Sequence, residues 1–228
     1  HDTLIGLGQR LLREPRRWRE VQKRNHIGNA RRIPLGTAIR IPYAWLRMRV
    51  QTALAADLSG TVLADGKPLA AGATLAQGSR IATGPDGSVT LDLPDGSVVT
   101  LQRSSVLRLQ TVQQVSGEKS AHDVQLGLDQ GRVQTAVKPH GDVGRFEIRT
   151  PVAICAVRGT RFRAAFDPAT RAAADETLAG TVAVSGARSA VSVPADFGTR
   201  VEANGTPIPP VRLLTAPDLS GISATNLT

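Results

Sequence analysis

The sequence is poor in the residues that usually mark a thick core or a reactive centre. Of its 228 residues one is cysteine and one methionine, and aromatics make up 3%. The single thiol, Cys155, excludes an internal disulfide and leaves the redox compartment open. With so few rings the core has to be built from Val, Leu, Ile and Ala, which suits thin layered or solenoid packing. No apolar run approaches the ~20 residues needed to cross a bilayer, so no transmembrane helix is expected. No secretory leader is visible, and His1-Asp2-Thr3-Leu4 reads as the middle of a motif rather than a natural start. His26, His122 and His140 lie far apart without metal-ligand spacing, and no serine sits in a nucleophile-elbow motif. The expectation is a protein without a catalytic centre, a metal site or a cofactor.

What is present is distributed unevenly. Residues 1–49 hold twelve Lys/Arg against three acids (Asp2, Glu14, Glu20), a surplus equal to the +9 of the whole chain. Residues 50–228 carry sixteen groups of each sign. Both tryptophans, Trp18 and Trp45, and the lone Tyr43 also fall in the basic segment. The asymmetry points to a small anion-attracting module, residues 1–49, joined to a neutral body at 50–210. Residues 211–228, preceded by Pro207, Pro209 and Pro210 and containing Pro217, read as a linker towards a further domain.

Within the basic segment, Thr3 can cap a helix over residues 3–12 whose Leu4, Leu7 and Leu11 share one face. Pro15 suits the first turn of a second helix over 16–24. A loop rich in Asn, Gly and Pro follows, and Ala38-Ile39-Arg40-Ile41-Pro42 predicts a short strand closed by proline. Asp2-Thr3-Leu4 before helix one, Trp18 and Asn25 around helix two, and Leu35-Gly36-Thr37 leading into Ile39-Arg40-Ile41-Pro42 resemble a LysM domain. The resemblance implies a βααβ module that binds N-acetylglucosamine-containing glycan, chiefly peptidoglycan. Of the family's first strand only His1 stands before Asp2. The implied groove lies between two loops and selects Asp2, Thr3, Leu4, Asn25, His26, Ile27, Asn29, Arg31 and Ile33. Trp18 reads as an anchor of the small core. Two helices with RRWR on the second also imitate a helix-turn-helix, but the short second helix and the IRIP strand disfavour nucleic acid as a partner.

The body has a different grammar. Val89-Thr90-Leu91-Asp92-Leu93, Pro94-Asp95-Gly96-Ser97 and Val98-Val99-Thr100-Leu101 predict a hairpin with period two on both arms. Further strands are expected at residues 106–109, 124–128, 132–137, 146–149, 162–166, 181–184 and 191–193. Residues 111–123 read as an exposed loop or hairpin tip. Gly60, Gly131 and Gly180 each stand just before a strand, a loose internal echo compatible with stacked β-units. Ile81-Ala82-Thr83-Gly84, Asp95-Gly96-Ser97, Gly131-Arg132-Val133 and above all Val157-Arg158-Gly159-Thr160-Arg161-Phe162 resemble a FecR domain, over about residues 60–200. This resemblance implies an all-β periplasmic sensing or scaffolding domain, solenoid-like or a twisted β-sandwich. Gly159 reads as a turn or bulge, and Cys155 as a small core residue.

The fold expected is therefore mainly β: a small α+β LysM-like module followed by an all-β FecR-like domain. The function expected is a non-catalytic cell-envelope protein, in the periplasm of a Gram-negative bacterium, that binds peptidoglycan glycan while the β-domain acts as scaffold or sensor. Two alternatives stand beside it. One is a signal-transduction protein whose FecR-like domain binds a protein partner, and the other is the targeting portion of a larger cell-wall enzyme.

Overall fold

The computed structural model describes residues 3–118, 120–140 and 144–214. Helix α1 spans Leu4–Leu11 and opens where Thr3 accepts a hydrogen bond from the Gly6 amide at 3.0 Å. Capping removes one orphan donor of the first turn. Gly8 lets the next turn approach, since a Cβ there would stand 2.8 Å from the Pro15 carbonyl oxygen. A single 3-10 turn at Pro15–Arg17 leads into α2, Trp18–Arg24. Leu4, Leu12 and Val21 form a small core with half-buried Leu7, Trp18, Ile27, Ile33, Ile39, Ile41 and Trp45 packed against it.

The strand expected at residues 38–42 does not form. The stretch is extended, but no neighbouring strand lies beside it among the described residues. Asn25 takes a strand's place: its carboxamide donates to the Arg40 carbonyl at 2.8 Å and accepts from the Arg40 amide at 2.6 Å. Ile39 and Ile41 still pack inward, so the apolar alternation was real and its hydrogen-bonding partner was not.

The body is two sheets around one core. The first sheet runs in the order Lys67–Pro68, Val62–Ala64, Arg80–Thr83, Val106–Val115, the first half of His122–Ala136, Arg145–Arg149, Ala153–Val157, Thr181–Gly186 and Ala190–Pro194. The second runs Thr74–Ala76, Thr52–Ser59, Ser88–Asp92, Val98–Leu101, the second half of His122–Ala136, Arg161–Asp167, Ala172–Ala179, Phe197–Val201 and Val211–Arg212. Every pair is antiparallel except His122–Ala136 with Arg145–Arg149. Among the described residues these registers never lead back to their start, so the sheets form a sandwich sharing one long strand rather than a closed barrel. Inward-facing Ile81, Leu107, Leu126 and Ile148 meet Leu91, Leu101, Val133 and Phe162 in a single buried cluster. Such alternation of buried and exposed positions is what a half-buried strand requires.

The predicted hairpin is present, with Leu91 opposite Val99. The two strands expected at 124–128 and 132–137 are one strand. The polar stretch from 111 is also a correction: the strand runs on to Val115, Val112 and Val115 are buried, and the next strand already begins at His122. Its polar residues occupy the outer positions of a strand whose inner positions carry the valines.

Each of the three echoed glycines marks a place where the chain changes sheet. Gly60 (φ 62°) separates Thr52–Ser59 from Val62–Ala64, and Gly180 (φ 84°) separates Ala172–Ala179 from Thr181–Gly186. Gly131 (φ 85°) sits where the long strand leaves the first sheet, Gln130 opposite Val106, and enters the second, Gly131 opposite Phe166. A left-handed residue turns the strand out of its sheet, and residues with a Cβ resist that conformation.

Candidate functional site

The basic residues of the amino-terminal module face outwards. Eleven of the twelve are exposed, and the twelfth, Arg17, is half-buried, stacked 5.2 Å over Trp45 and paired with Glu14 at 3.2 Å. Arg19 lies 5.0 Å over Trp18. Trp18 thus joins the small core on one side and supports a cation on the other.

Of the nine residues selected for the glycan groove, Asp2 lies outside the described residues. The Leu4 amide donates to the Ala30 carbonyl at 2.8 Å, so the start of α1 lies against the loop after α2. This brings Thr3 and Leu4 beside Asn29 and Arg31. Their side chains are largely committed. Thr3 caps α1, Leu4 is buried, and Asn29 accepts from the Arg31 amide at 2.9 Å. Asn25 holds the Arg40 backbone, while Ile27 and Ile33 pack against the small core. His26, exposed at φ 53°, and Arg31 face solvent.

A hollow of about 760 Å³ opens elsewhere, between α1, residues 33–41 and the body. Leu7, Leu11, Ile39, Ile41 and Leu46 give it apolar walls, and Val115 and Glu118 of the body close one side. Ile33 is its one member from the predicted groove.

The two modules are joined by more than the chain. Met48–Val50 pairs with the end of Val106–Val115, and Leu46 packs with Val115 and Ala121. Beside this contact Asp123, buried at 3% exposure, accepts two hydrogen bonds from Arg145, Nε at 2.8 Å and Nη2 at 2.7 Å. The Tyr43 ring lies 5.3 Å from that guanidinium. Burial, and then the Asp123 charge, push the Tyr43 hydroxyl far above its usual range, with Arg145 opposing. Tyr43 therefore stays neutral, with its hydroxyl buried beside Asp123. Glu147 extends the network to Arg149 at 2.7 Å. Sequence reasoning missed this junction, since nothing local to Tyr43, Asp123 or Arg145 signals that they meet.

Among the described residues no group of three or more His, Cys, Asp or Glu is placed to hold a metal ion, and no helix is long and apolar enough to cross a membrane. Cys155 is buried in Ala153–Val157, and burial pushes its thiol well above the usual range. Burial also lowers His122 below the ordinary histidine value. Gly159 (φ 67°) forms the turn before Arg161–Asp167, and the Thr160 hydroxyl donates to the Thr181 carbonyl at 3.2 Å.

Residues 79–183 match the family described as "FecR protein", a narrower span than the resemblance outlined. The comparisons give no support for a LysM domain at the amino terminus. No curated protein matches the chain. Two crystal structures of a "putative anti-sigma factor" from Parabacteroides distasonis ATCC 8503 are similar, at 20% and 21% identity, each with a TM-score of 0.48. The alignment covers 59% of this chain and 59% of each of those chains.

Proposed function

We propose that this chain is a non-catalytic regulatory protein of the cell envelope whose β-sandwich receives a protein partner. The match to FecR protein over residues 79–183 carries this reading, because it falls wholly within the two-sheet body. The body suits the task physically. Its core is continuous, and among the described residues the short strands Ala190–Pro194 and Val211–Arg212 each pair with a single neighbouring strand, which leaves a sheet edge of the kind that accepts an added strand. In-frame deletion of residues 79–183 from the parent gene is expected to change expression of a restricted set of genes, while deletion of residues 1–49 leaves most of that response intact. Transcript sequencing reads both, and an unaltered transcriptome after loss of 79–183 would remove the regulatory role.

A second reading concerns residues 1–49: a glycan-binding module for peptidoglycan, using Asp2, Thr3, Leu4, Asn25, His26, Ile27, Asn29, Arg31 and Ile33. The contact of Leu4 with Ala30 supports it, because a two-loop groove needs those loops side by side. Purified sacculi should then retain residues 1–228 but not 50–228, and N-acetylglucosamine oligomers should compete. Retention that disappears in 0.5 M salt, about 4 Å of Debye length, would mean simple charge attraction by the exposed arginines.

A further inference from the structure

The core holds one carboxyl that the foregoing reading does not use. Asp175, on Ala172–Ala179, points between the sheets at 2% exposure. Its Oδ2 has no hydrogen-bond partner among the described residues. Its Oδ1 lies 3.3 Å from the Thr177 hydroxyl, which also lies 3.1 Å from the carbonyl oxygen of Val193 on the facing sheet. The hydroxyl has one proton and two acceptors in reach. A carbonyl can only accept, so when the hydroxyl gives its proton to Val193, a bond between Asp175 and Thr177 requires the carboxyl to be the donor. Only the protonated acid can do this.

The surroundings favour the same state. The Cys155 thiol faces Asp175 from the first sheet, and Glu176 acts on it from the outer face of its own strand. Across the neighbouring strands stand Ala164 and Thr199, whose hydroxyl is given to the Ile208 carbonyl. No cation faces it. Burial dominates and raises the carboxyl from 3.8 to about 7, while the Thr177 hydroxyl and the Cys155 thiol, which can each donate to the ionised form, pull it the other way by less.

We infer that Asp175 and Thr177 form a proton-operated latch that ties the edge strand Ala190–Pro194 to the opposite sheet. With the acid protonated, the relay Asp175–Thr177–Val193 is complete. Loss of the proton turns Asp175 into an acceptor, draws the Thr177 proton back to the carboxylate and frees the Val193 carbonyl. Among the described residues Ala190–Pro194 pairs with one strand, Thr181–Gly186, so it is the strand that this bond steadies. A rise in pH thus loosens one sheet edge. The inference stands on the core geometry alone and is independent of the partner reading.

The sign follows from linkage. The unfolded carboxyl ionises near 3.8 and the folded one near 7, so stability is full below 3.8 and declines as pH rises to about 7. Asp175 by itself should raise the unfolding equilibrium constant about a thousandfold across that window. His122 gives an opposite slope, because its folded value is lowered and its contribution is lost as pH falls below 6.5. Asp175→Asn isolates the acid, since its amide donates to Thr177 at every pH. Hydrogen exchange of Ala190–Pro194, corrected for intrinsic rates, should accelerate between pH 5 and 8 in the wild type and stay constant in Asp175→Asn. Thr177→Val should show fast exchange at both pH values. Equal pH dependence in wild type and Asp175→Asn would overturn the latch. So would a carbon-13 carboxyl titration of wild-type Asp175 with a midpoint near the ordinary aspartate value, a measurement that needs no variant to fold.

Discussion

Gly131→Ala is expected to lower the melting temperature by about 10 °C, although it adds one methyl group. Two costs combine. At φ 85° a residue with a Cβ pays about 1–2 kcal/mol in backbone strain. The new Cβ would also stand 2.6 Å from the Ser105 Cα and in collision with its hydroxyl. Ser105 cannot step aside freely. It is fully buried, its hydroxyl accepts from the Arg132 amide at 2.9 Å and donates to the Arg103 carbonyl at 3.0 Å, and its amide donates to Thr83 at 3.0 Å. Overpacking of this kind costs a further ~1–3 kcal/mol. A total of about 3 kcal/mol corresponds to roughly 10 °C in a chain of this size. Gly66→Ala is the control: its φ is 79°, but no atom stands within 4 Å of the added carbon, so only the backbone strain of about 1–2 kcal/mol applies. Thermal melts of the two variants decide the matter. Equal losses would show that the switch point depends on glycine's backbone alone and not on the close approach of Ser105.

The second large effect is expected at the junction of the modules. Asp123→Ala leaves the Arg145 guanidinium beside Tyr43 without its bidentate acceptor. Removing one member of a fully buried pair costs about 3–5 kcal/mol. Arg145 is 39% exposed and keeps Glu147 at 4.0 Å, so solvent screening reduces the loss to about 2 kcal/mol. Both residues lie on neighbouring strands of the body and reach the amino-terminal module through Tyr43, so the loss weakens sheet and docking together, and cleavage by trypsin at Arg47 and Arg49 should accelerate about tenfold or more. Glu147→Gln, which leaves both short Arg145–Asp123 bonds in place, should change the rate much less. An unaltered rate in Asp123→Ala would mean that Leu46, Val115, Ala121 and the pairing of Met48–Val50 hold the modules together by themselves.

Where the code is local, the sequence was readable. Thr3 as a cap, Pro15 at the entry to the second helical stretch, and the Asp95-Gly96 hairpin all depend on neighbours within a few residues, and each appears as expected. The strand at Ala172–Ala179 was illegible for the opposite reason. Ala-Ala-Ala-Asp-Glu-Thr-Leu-Ala has helical propensity, and pairing on both sides with Arg161–Asp167 and Phe197–Val201 overrides it. Residues 38–42 fail in reverse: the pattern is that of a strand, but a strand also needs a partner. The candidate groove was legible only as a set of loops. Which of its side chains remain available was set by hydrogen bonds such as Asn25 to Arg40, fifteen residues apart.

By itself the sequence determined the charge division, the β-rich grammar of the body and the positions of its three special glycines, because composition, period-two alternation and the need for a missing Cβ are written residue by residue. The tertiary structure alone decided that those glycines exchange one sheet for the other. It also decided that Tyr43 meets Asp123 and Arg145, and that Asp175 is sealed beside Thr177 and opposite Val193. These are contacts between segments brought together by burial, where the energy of a charge or a hydrogen bond depends on neighbours that no local pattern names.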